Sequence, residues 1–306
     1  MPHDHAHHPH DHGLPSDLAG DKRVGAAIVV NIGLTLVQII AGVISGSLAL
    51  IADAIHNLSD ALSLGIAFYA RKLARRPADE TMTFGYGRAE VIAAMVNYTT
   101  LIIVALYLAV QGVERLFNPV EVQGWIVVIV ATIALVIDAV TALMIFRLSA
   151  QSMNMRAAFL HNMADALGSL AVIFSGTLIL LYDWRLIDPI ITLGISGYIL
   201  WHSALGIRPV LSVLMLATPD ETDLPALIAA LENTAGVENL HHVHVFRMDE
   251  HTTALEAHVV LTEGTSAETA RNDLKSLLQD QFDISHSMLE FETRASACAE
   301  PQQIGH

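Results

Sequence analysis

Two copies of one short pattern, His-Asn-x-x-Asp, stand out among the polar residues of this chain. His56 and Asp60 belong to the first copy, and His161 and Asp165 belong to the second. Residues four positions apart share one face of a helix, so each copy would present an imidazole and a carboxylate together. Two such helices facing each other supply two nitrogen and two oxygen ligands, which matches the tetrahedral preference of Zn²⁺. The spacing therefore predicts a four-ligand metal site.

Further polar residues accompany these pairs in apolar surroundings. Asp53 precedes His56 by three positions, and three roles stay open for it: orienting His56 from outside the ligand set, carrying protons, or facing water near the outer mouth. Asn57 and Asn162 follow the two histidines and point about 100° away from them, which favours hydrogen bonds between helices. Asp138 is a further acid in an apolar segment and is a candidate proton relay.

The segments that carry these residues are long and apolar. Of the 306 residues, 53% are hydrophobic and 15% are charged, and the mean hydropathy is +0.49. Such a composition indicates an integral membrane protein in a lipid bilayer. A crossing needs about 20 apolar helical residues. Six segments meet this length and are predicted as transmembrane helices: 24–45, 47–70, 89–113, 124–146, 156–182 and 187–206.

The distribution of basic residues predicts the orientation of these crossings. With the N-terminus in the cytoplasm, ten Lys and Arg residues lie on the cytoplasmic side, and only Arg115 and Arg185 lie on the other side. Cytoplasmic loops of membrane proteins carry this excess of basic residues. An even number of crossings then places both termini in the cytoplasm.

The last third of the chain has a different character. Residues 207–306 contain 16 acidic and 5 basic residues, a net charge of −11. Periodicity predicts helices at 223–234 and 266–281 and strands at 239–248, 253–262 and 284–292, which is a small α+β layer with helices on one face of a sheet. The net acidic charge argues against nucleic acid as a partner, because phosphate binding needs clustered Lys and Arg. The single cysteine, Cys298, excludes an internal disulfide.

The chain resembles the cation diffusion facilitator family, in the zinc-transporting branch of the bacterial cobalt-zinc-cadmium efflux type. The resemblance is carried by SLALIADAIHNLSDALSLG, FGYGRAEVIAA, HNMADALGS, LHHVHVF and HSMLEFE, and it extends from about residue 22 to 293. It implies a homodimer in the bacterial inner (plasma) membrane that exports divalent metal in exchange for protons. It also assigns His56, Asp60, His161 and Asp165 as the transport ligands.

Together these observations predict an α-helical membrane protein with six transmembrane helices and a small cytoplasmic α+β ferredoxin-like domain. We expect a disordered His-rich cytoplasmic tail at 1–21, the transmembrane domain at 22–208, a cytoplasmic metal-binding dimerisation domain at 209–295, and a disordered tail at 296–306.

Histidines outside the membrane segments form two further groups. The first twelve residues contain His3, His5, His7, His8, His10 and His12, a composition typical of weak metal binding, although an incidental polar tail or a tag has the same appearance. In the C-terminal region, His241, His258 and His286 fall where the resemblance implies cytoplasmic metal ligands. His242 occupies a position that is usually Asp in the family. Solvated strand histidines are the alternative interpretation.

The favoured function is efflux of Zn²⁺, with Cd²⁺, Co²⁺ and Ni²⁺ as further substrates, by proton antiport and alternating access. Metal binding requires neutral histidine and ionised aspartate, so it displaces protons. Zn²⁺ is expected both as substrate and as regulatory ligand, with no organic cofactor. The alternative is a membrane-bound metal sensor that holds a structural ion. An enzyme is disfavoured because no H-E-x-x-H sequence provides a hydrolytic zinc site.

Overall fold

The computed structural model describes residues 18–149, 153–298 and 302–305, with helix side chains at 18–31, 60–65, 67–68, 71, 144–149 and 153–162 outside that description. The first two thirds of the chain contain six long helices: α1 (Leu18–Ser45), α2 (Leu48–Ala74), α3 (Ala89–Phe117), α4 (Gly124–Ser149), α5 (Met153–Tyr182) and α6 (Ile187–Leu214). A smaller set of elements follows: α7 (Leu224–Glu232), β1 (Val237–Arg247), β2 (Thr253–Leu261), α8 (Ala267–Phe282) and β3 (His286–Thr293).

Among the described residues, four helices are long and apolar enough to cross a membrane: Ala89–Phe117, Gly124–Leu143, Met163–Tyr182 and Ile187–Leu214. Helices α1 and α2 contribute shorter apolar stretches within that description, Ile32–Ser45 and Leu48–Ser59. An α-helical membrane protein with a C-terminal α+β domain is therefore confirmed. The count of six crossings stays a prediction.

The chain divides into two compact units. One consists of the described residues up to Ala61 together with Leu108–Ile195, and the other of Leu62–Tyr107 together with the described residues from Ser196 onward. In the first unit, α4 packs along α5. Its buried apolar residues include Leu50, Val127 and Val172, so α2, α4 and α5 share one core.

The turn between α1 and α2 is fixed by backbone geometry and by a buried acid. Gly46 has φ +76°, and a Cβ at this position would lie 2.7 Å from the carbonyl oxygen of Glu121, so only glycine fits. Fully buried Asp188 accepts hydrogen bonds from Ser47 Oγ at 2.5 Å and from the Leu48 amide at 2.8 Å. A carboxylate therefore caps the N-terminus of α2, where helix amides lack partners.

Helix α6 runs past its predicted end at residue 206. Gly206 and Pro209 are residues typical of a helix end, and Pro209 lies inside the helix. Gly206 does not adopt the left-handed conformation of a C-cap. Instead, a Cβ there would lie 2.5 Å from Tyr98 Cε1. The glycine permits close packing of α6 against Tyr98 rather than ending the helix.

The C-terminal elements form a three-stranded sheet in the order β1-β2-β3. Strands β1 and β2 are antiparallel, and β3 pairs parallel to β2 after the crossover through α8. Leu227 and Leu231 of α7, Leu255 of β2, and Leu274 and Leu278 of α8 are completely buried between the helices and the sheet. The predicted order of helices and strands is therefore confirmed.

The segment at 296–306, predicted as a disordered tail, returns to the sheet in its described part. The amides of His242 and Val243 donate to the carbonyl oxygens of Gln302 and Gln303 at 2.9 and 3.0 Å. Val243 also bridges Ile304 in parallel. The backbone of this segment thus contacts the middle of β1.

Candidate metal centres

Helices α2 and α5 bring one residue of each His-Asn-x-x-Asp copy together. His56 Nε2 lies 3.3 Å from Asp165 Oδ1, and the two side chains are 18% and 9% exposed. Asp60 lies one turn after His56 in α2, and His161 lies one turn before Asp165 in α5. The side chains of Asp60 and His161 are outside the described part of the chain. The contact therefore joins an imidazole of one predicted pair to the carboxylate of the other.

A network of buried polar side chains adjoins this contact. Asp53, 3% exposed and three residues before His56, accepts a hydrogen bond from Gln38 Nε2 at 2.9 Å. Ser169 Oγ lies 3.3 Å from Asp53 Oδ2 and 3.4 Å from Asp138 Oδ2. A single hydroxyl thus lies between two buried carboxyl groups. Because a hydroxyl both donates and accepts, Ser169 can connect them in a chain of hydrogen bonds.

Of the two asparagines that follow the motif histidines, only Asn57 has a described side chain. Asn57 is buried, and its Nδ2 makes no hydrogen bond within the described part of the chain. The side chain of Asn162 lies outside that description. Hydrogen bonding between helices therefore stays a prediction for both residues.

A second cluster of possible ligands lies on the sheet, where a β-bulge changes the direction of β1. His241 is paired with His258 of β2, and the register shifts before His244. His242 within this bulge has φ +51°. Consecutive strand residues normally face opposite sides. Here the ring centroids of His241, His242 and His258 all lie 4.8–5.2 Å apart. The bulge therefore brings both histidines of β1 to His258.

Cys298 and two glutamates complete this histidine cluster. Single ligand atoms of His241, His242, His258 and Cys298 lie within 4.8 Å of one another, and a second such group contains His258, Glu290 and Glu292. The His258 Nδ1 to Glu292 Oε1 distance is 2.8 Å, and His241 Nε2 lies 3.3 Å from Glu292 Oε2.

These donors suit a borderline or soft divalent cation. Imidazole and thiolate both bind Zn²⁺, and the nearby carboxylates lower the electrostatic cost of a bound cation. Burial, followed by the charge of Glu292, raises the pKa of the Cys298 thiol. A bound cation would act in the opposite direction, because metal ligation deprotonates a thiol.

The cluster is accessible from a cavity of about 390 Å³, whose lining includes His242, His244, Glu256, His258 and Glu290. His286 is placed differently. It begins β3 opposite Ala254, is exposed, and belongs to neither described ligand group.

Sequence reasoning did not identify Cys298, Glu290 or Glu292 as part of this site. The alternation in MLEFE indicated that the two glutamates share a face of β3, whereas nothing local indicated the position of Cys298. The N-terminal histidines His3, His5, His7, His8, His10 and His12 lie outside the described residues.

Comparison with known proteins covers both regions. The family model for the cation efflux transmembrane domain matches residues 24–215, and the model for the cytoplasmic domain of cation efflux proteins matches residues 219–294. The metal-bound C-terminal domain of the CzcD transporter from Cupriavidus metallidurans aligns at 30% identity and a TM-score of 0.23, covering 23% of this chain and 99% of that one.

Full-length relatives align over nearly all of this chain. The metal cation efflux system protein CzcD of Cupriavidus metallidurans is 32% identical over 94% of this chain and 90% of its own length. The cadmium, cobalt and zinc/H⁺-K⁺ antiporter of Bacillus subtilis is 30% identical over 94% and 92%. The zinc transporter ZitB of Escherichia coli is 30% identical over 93% and 92%. These matches, in both regions and along both chains, show that the protein belongs to the cation efflux family.

Proposed function

We propose that the protein is a secondary active transporter, not an enzyme, that exports divalent cations from the cytoplasm in exchange for protons. Zn²⁺ is the preferred substrate, and Cd²⁺, Co²⁺ and Ni²⁺ are further substrates. The observation that carries this proposal is the 3.3 Å approach of His56 Nε2 to Asp165 Oδ1 between α2 and α5. The relatives support it, because they include a zinc transporter and a cadmium, cobalt and zinc/H⁺-K⁺ antiporter.

The four proposed transport ligands are His56, Asp60, His161 and Asp165. Successive crossings alternate in direction, so α2 and α5 run antiparallel in a six-helix arrangement. With His56 opposite Asp165, antiparallel helices bring the backbone positions of Asp60 and His161 to one level. Each helix then supplies one imidazole and one carboxylate to a tetrahedral N₂O₂ site.

The buried acids favour an ion pathway over a purely structural role. An ionised aspartate at the bilayer centre costs about 2.5–3.5 kcal/mol on insertion scales, so such groups persist where they bind ions or carry protons. We assign proton transfer to Asp53 and Asp138, because Ser169 Oγ lies 3.3 and 3.4 Å from their carboxyl oxygens. Metal entering the site displaces protons, and protons arriving from the opposite side release the metal.

The C-terminal domain is proposed to be a cytoplasmic Zn²⁺-regulated dimerisation unit of a homodimer in the bacterial inner membrane, with both termini in the cytoplasm. Its net charge of −11 attracts divalent cations, and His241, His242 and His258 form a compact cluster. Bound metal would bias the attached helices toward export, to an extent limited by the difference in metal affinity between the two domain arrangements. His286 stays a predicted ligand, and the N-terminal histidines stay a predicted weak metal collector.

Purified protein in sealed liposomes tests this function. With Zn²⁺ outside and an acidic interior, a transporter accumulates Zn²⁺ and releases protons with the same time course. A membrane sensor that holds a structural ion binds Zn²⁺ at a fixed stoichiometry and moves neither species. Binding without accumulation would therefore contradict transport and favour the sensor.

A further inference from the structure

The bulge in β1 creates a docking position for the C-terminal segment. His242 and Val243 lie between the last paired residue before the bulge and the first one after it, so β2 does not bond their amides. Buried amides need acceptors. The carbonyl oxygens of Gln302 and Gln303 accept these two hydrogen bonds at 2.9 and 3.0 Å. The C-terminal segment is thus hydrogen-bonded to the backbone of His242, and the ring of His242 belongs to the histidine cluster.

Cys298 lies between β3 and this docked segment, next to the cluster. Its Sγ is 4.0 Å from His258 Nδ1 and 3.8 Å from Glu292 Oε1. A lone thiol near histidines would not by itself indicate a site. However, His241 is only 1% exposed, and its Nδ1 makes no hydrogen bond in the described part of the chain, while its Nε2 lies 3.3 Å from Glu292 Oε2 without the geometry of a hydrogen bond. A buried imidazole nitrogen without a hydrogen-bond partner destabilises the fold unless it binds a ligand.

We propose that Cys298 is a thiolate ligand of the cation bound by His241, His242 and His258, and that docking of the C-terminal segment on β1 holds the thiolate in place. This inference rests on the proposed function, because it defines the ligand set of the regulatory cation. Three imidazoles and one thiolate form a tetrahedral set that favours thiophilic divalent cations, Zn²⁺ and Cd²⁺. On binding, the metal–sulfur bond forms and the thiol proton passes to solvent.

The dimensions of the cluster indicate what binding must change. Metal–nitrogen and metal–sulfur bonds of about 2.0–2.3 Å place the nitrogen and sulfur ligand atoms of one tetrahedral site roughly 3.3–3.6 Å apart, whereas Cys298 Sγ lies 4.0 Å from His258 Nδ1 here. The cation therefore draws Cys298 inward. A neutral imidazole has one free lone pair, so His258 serves either this set or the one with Glu290 and Glu292.

Full-length protein in detergent provides a direct test, because Cys298 is the only cysteine in the chain. Maleimide alkylation therefore reports this thiol alone. Saturating Zn²⁺ or Cd²⁺ is expected to slow alkylation at least about tenfold, because a metal-bound thiolate is unavailable as a nucleophile. Co²⁺ used as a spectroscopic probe should produce a thiolate-to-metal charge-transfer band. Equal alkylation rates with and without metal would overturn the proposal.

Variants separate the ligands from the docking. His258→Ala should abolish protection by Zn²⁺, whereas the matched control His251→Ala, at the exposed β1–β2 turn, should retain it. Cys298→Ser should abolish the Co²⁺ band and weaken Cd²⁺ binding about 10–100-fold, with a smaller loss for Zn²⁺. Unchanged Cd²⁺ affinity in Cys298→Ser would overturn the thiolate assignment.

Deletion of residues 302–306 should weaken protection by metal while leaving the Co²⁺ band obtainable at higher concentration. Full protection after this deletion would overturn the role of docking. Zn²⁺ uptake by liposomes containing the wild type is measured on the same preparations. Absent uptake contradicts the proposed transport, whereas active uptake with metal-insensitive alkylation contradicts only the present inference.

Discussion

Replacing Ser169 with alanine removes the hydroxyl between Asp53 and Asp138. Its two contacts, 3.3 and 3.4 Å, are long for O–H···O bonds, so the loss in stability should be about 1 kcal/mol and the variant should fold. Proton transfer should suffer more. Without the hydroxyl, the chain of hydrogen bonds between the two carboxyl groups is broken. A positioned proton-transfer group typically contributes about 10²–10⁴-fold to a rate, so proton-coupled flux should fall at least about tenfold.

Stopped-flow measurement of Zn²⁺ uptake and proton release in liposomes detects this change. The matched control is Ser175→Ala, which removes a hydroxyl from a completely buried serine on the same helix that makes no hydrogen bond in the described part of the chain. Ser169→Thr retains a hydroxyl and should recover most of the flux, and equilibrium Zn²⁺ affinity should be unchanged in all three. Equal flux in Ser169→Ala and Ser175→Ala would refute the relay.

Three other predictions concern stability, selectivity and the link between the α2–α3 loop and the sheet. Asp188→Ala removes the cap of α2 and leaves a buried amide and hydroxyl without an acceptor. The free energy of unfolding, measured by thermal denaturation, should therefore fall by about 2–4 kcal/mol, and an unchanged melting temperature would contradict the capping role. His56→Asp should weaken discrimination for Zn²⁺ and relatively favour Mn²⁺ or Cd²⁺ in a vesicle competition assay, and an identical metal profile would show that this imidazole does not set selectivity. Arg88→Ala removes the 2.9 Å hydrogen bond from Nε to the carbonyl oxygen of Met248, worth about 1 kcal/mol, so proteolysis of the α2–α3 loop should accelerate about fivefold. Arg88→Lys lacks this Nε donor and should behave similarly. A proteolysis rate equal to that of the wild type in both variants would exclude the link.

The helices and strands were predictable because their signals are local. Long apolar runs define the helices, and the period-two pattern of residues 253–262 defines β2 before any contact is known. The paired motifs were predictable for the same reason, since residues four apart share a helix face regardless of the rest of the fold. The end of α6 was harder to predict, because the sequence around Gly206 and Pro209 is the same whether the glycine caps a helix or packs against Tyr98.

Features that depend on distant parts of the chain were not predictable. His242 and His258 were candidate ligands from the sequence, but their proximity depends on a bulge with φ +51° at His242. Cys298 joins them only because the C-terminal segment docks on β1. Ser169 was not distinguishable from other small residues of α5, since its position between two acids involves three helices.

The central claim is that the carboxylates of the two paired motifs bind the transported cation. Its most direct test is Zn²⁺-dependent proton flux in liposomes containing Asp165→Ala or Asp60→Ala, compared with Glu114→Gln, which removes an exposed acid from α3. Both aspartate variants should fold, insert and lose flux, while Glu114→Gln should match the wild type. Wild-type flux in either aspartate variant would contradict the assignment of the transport site.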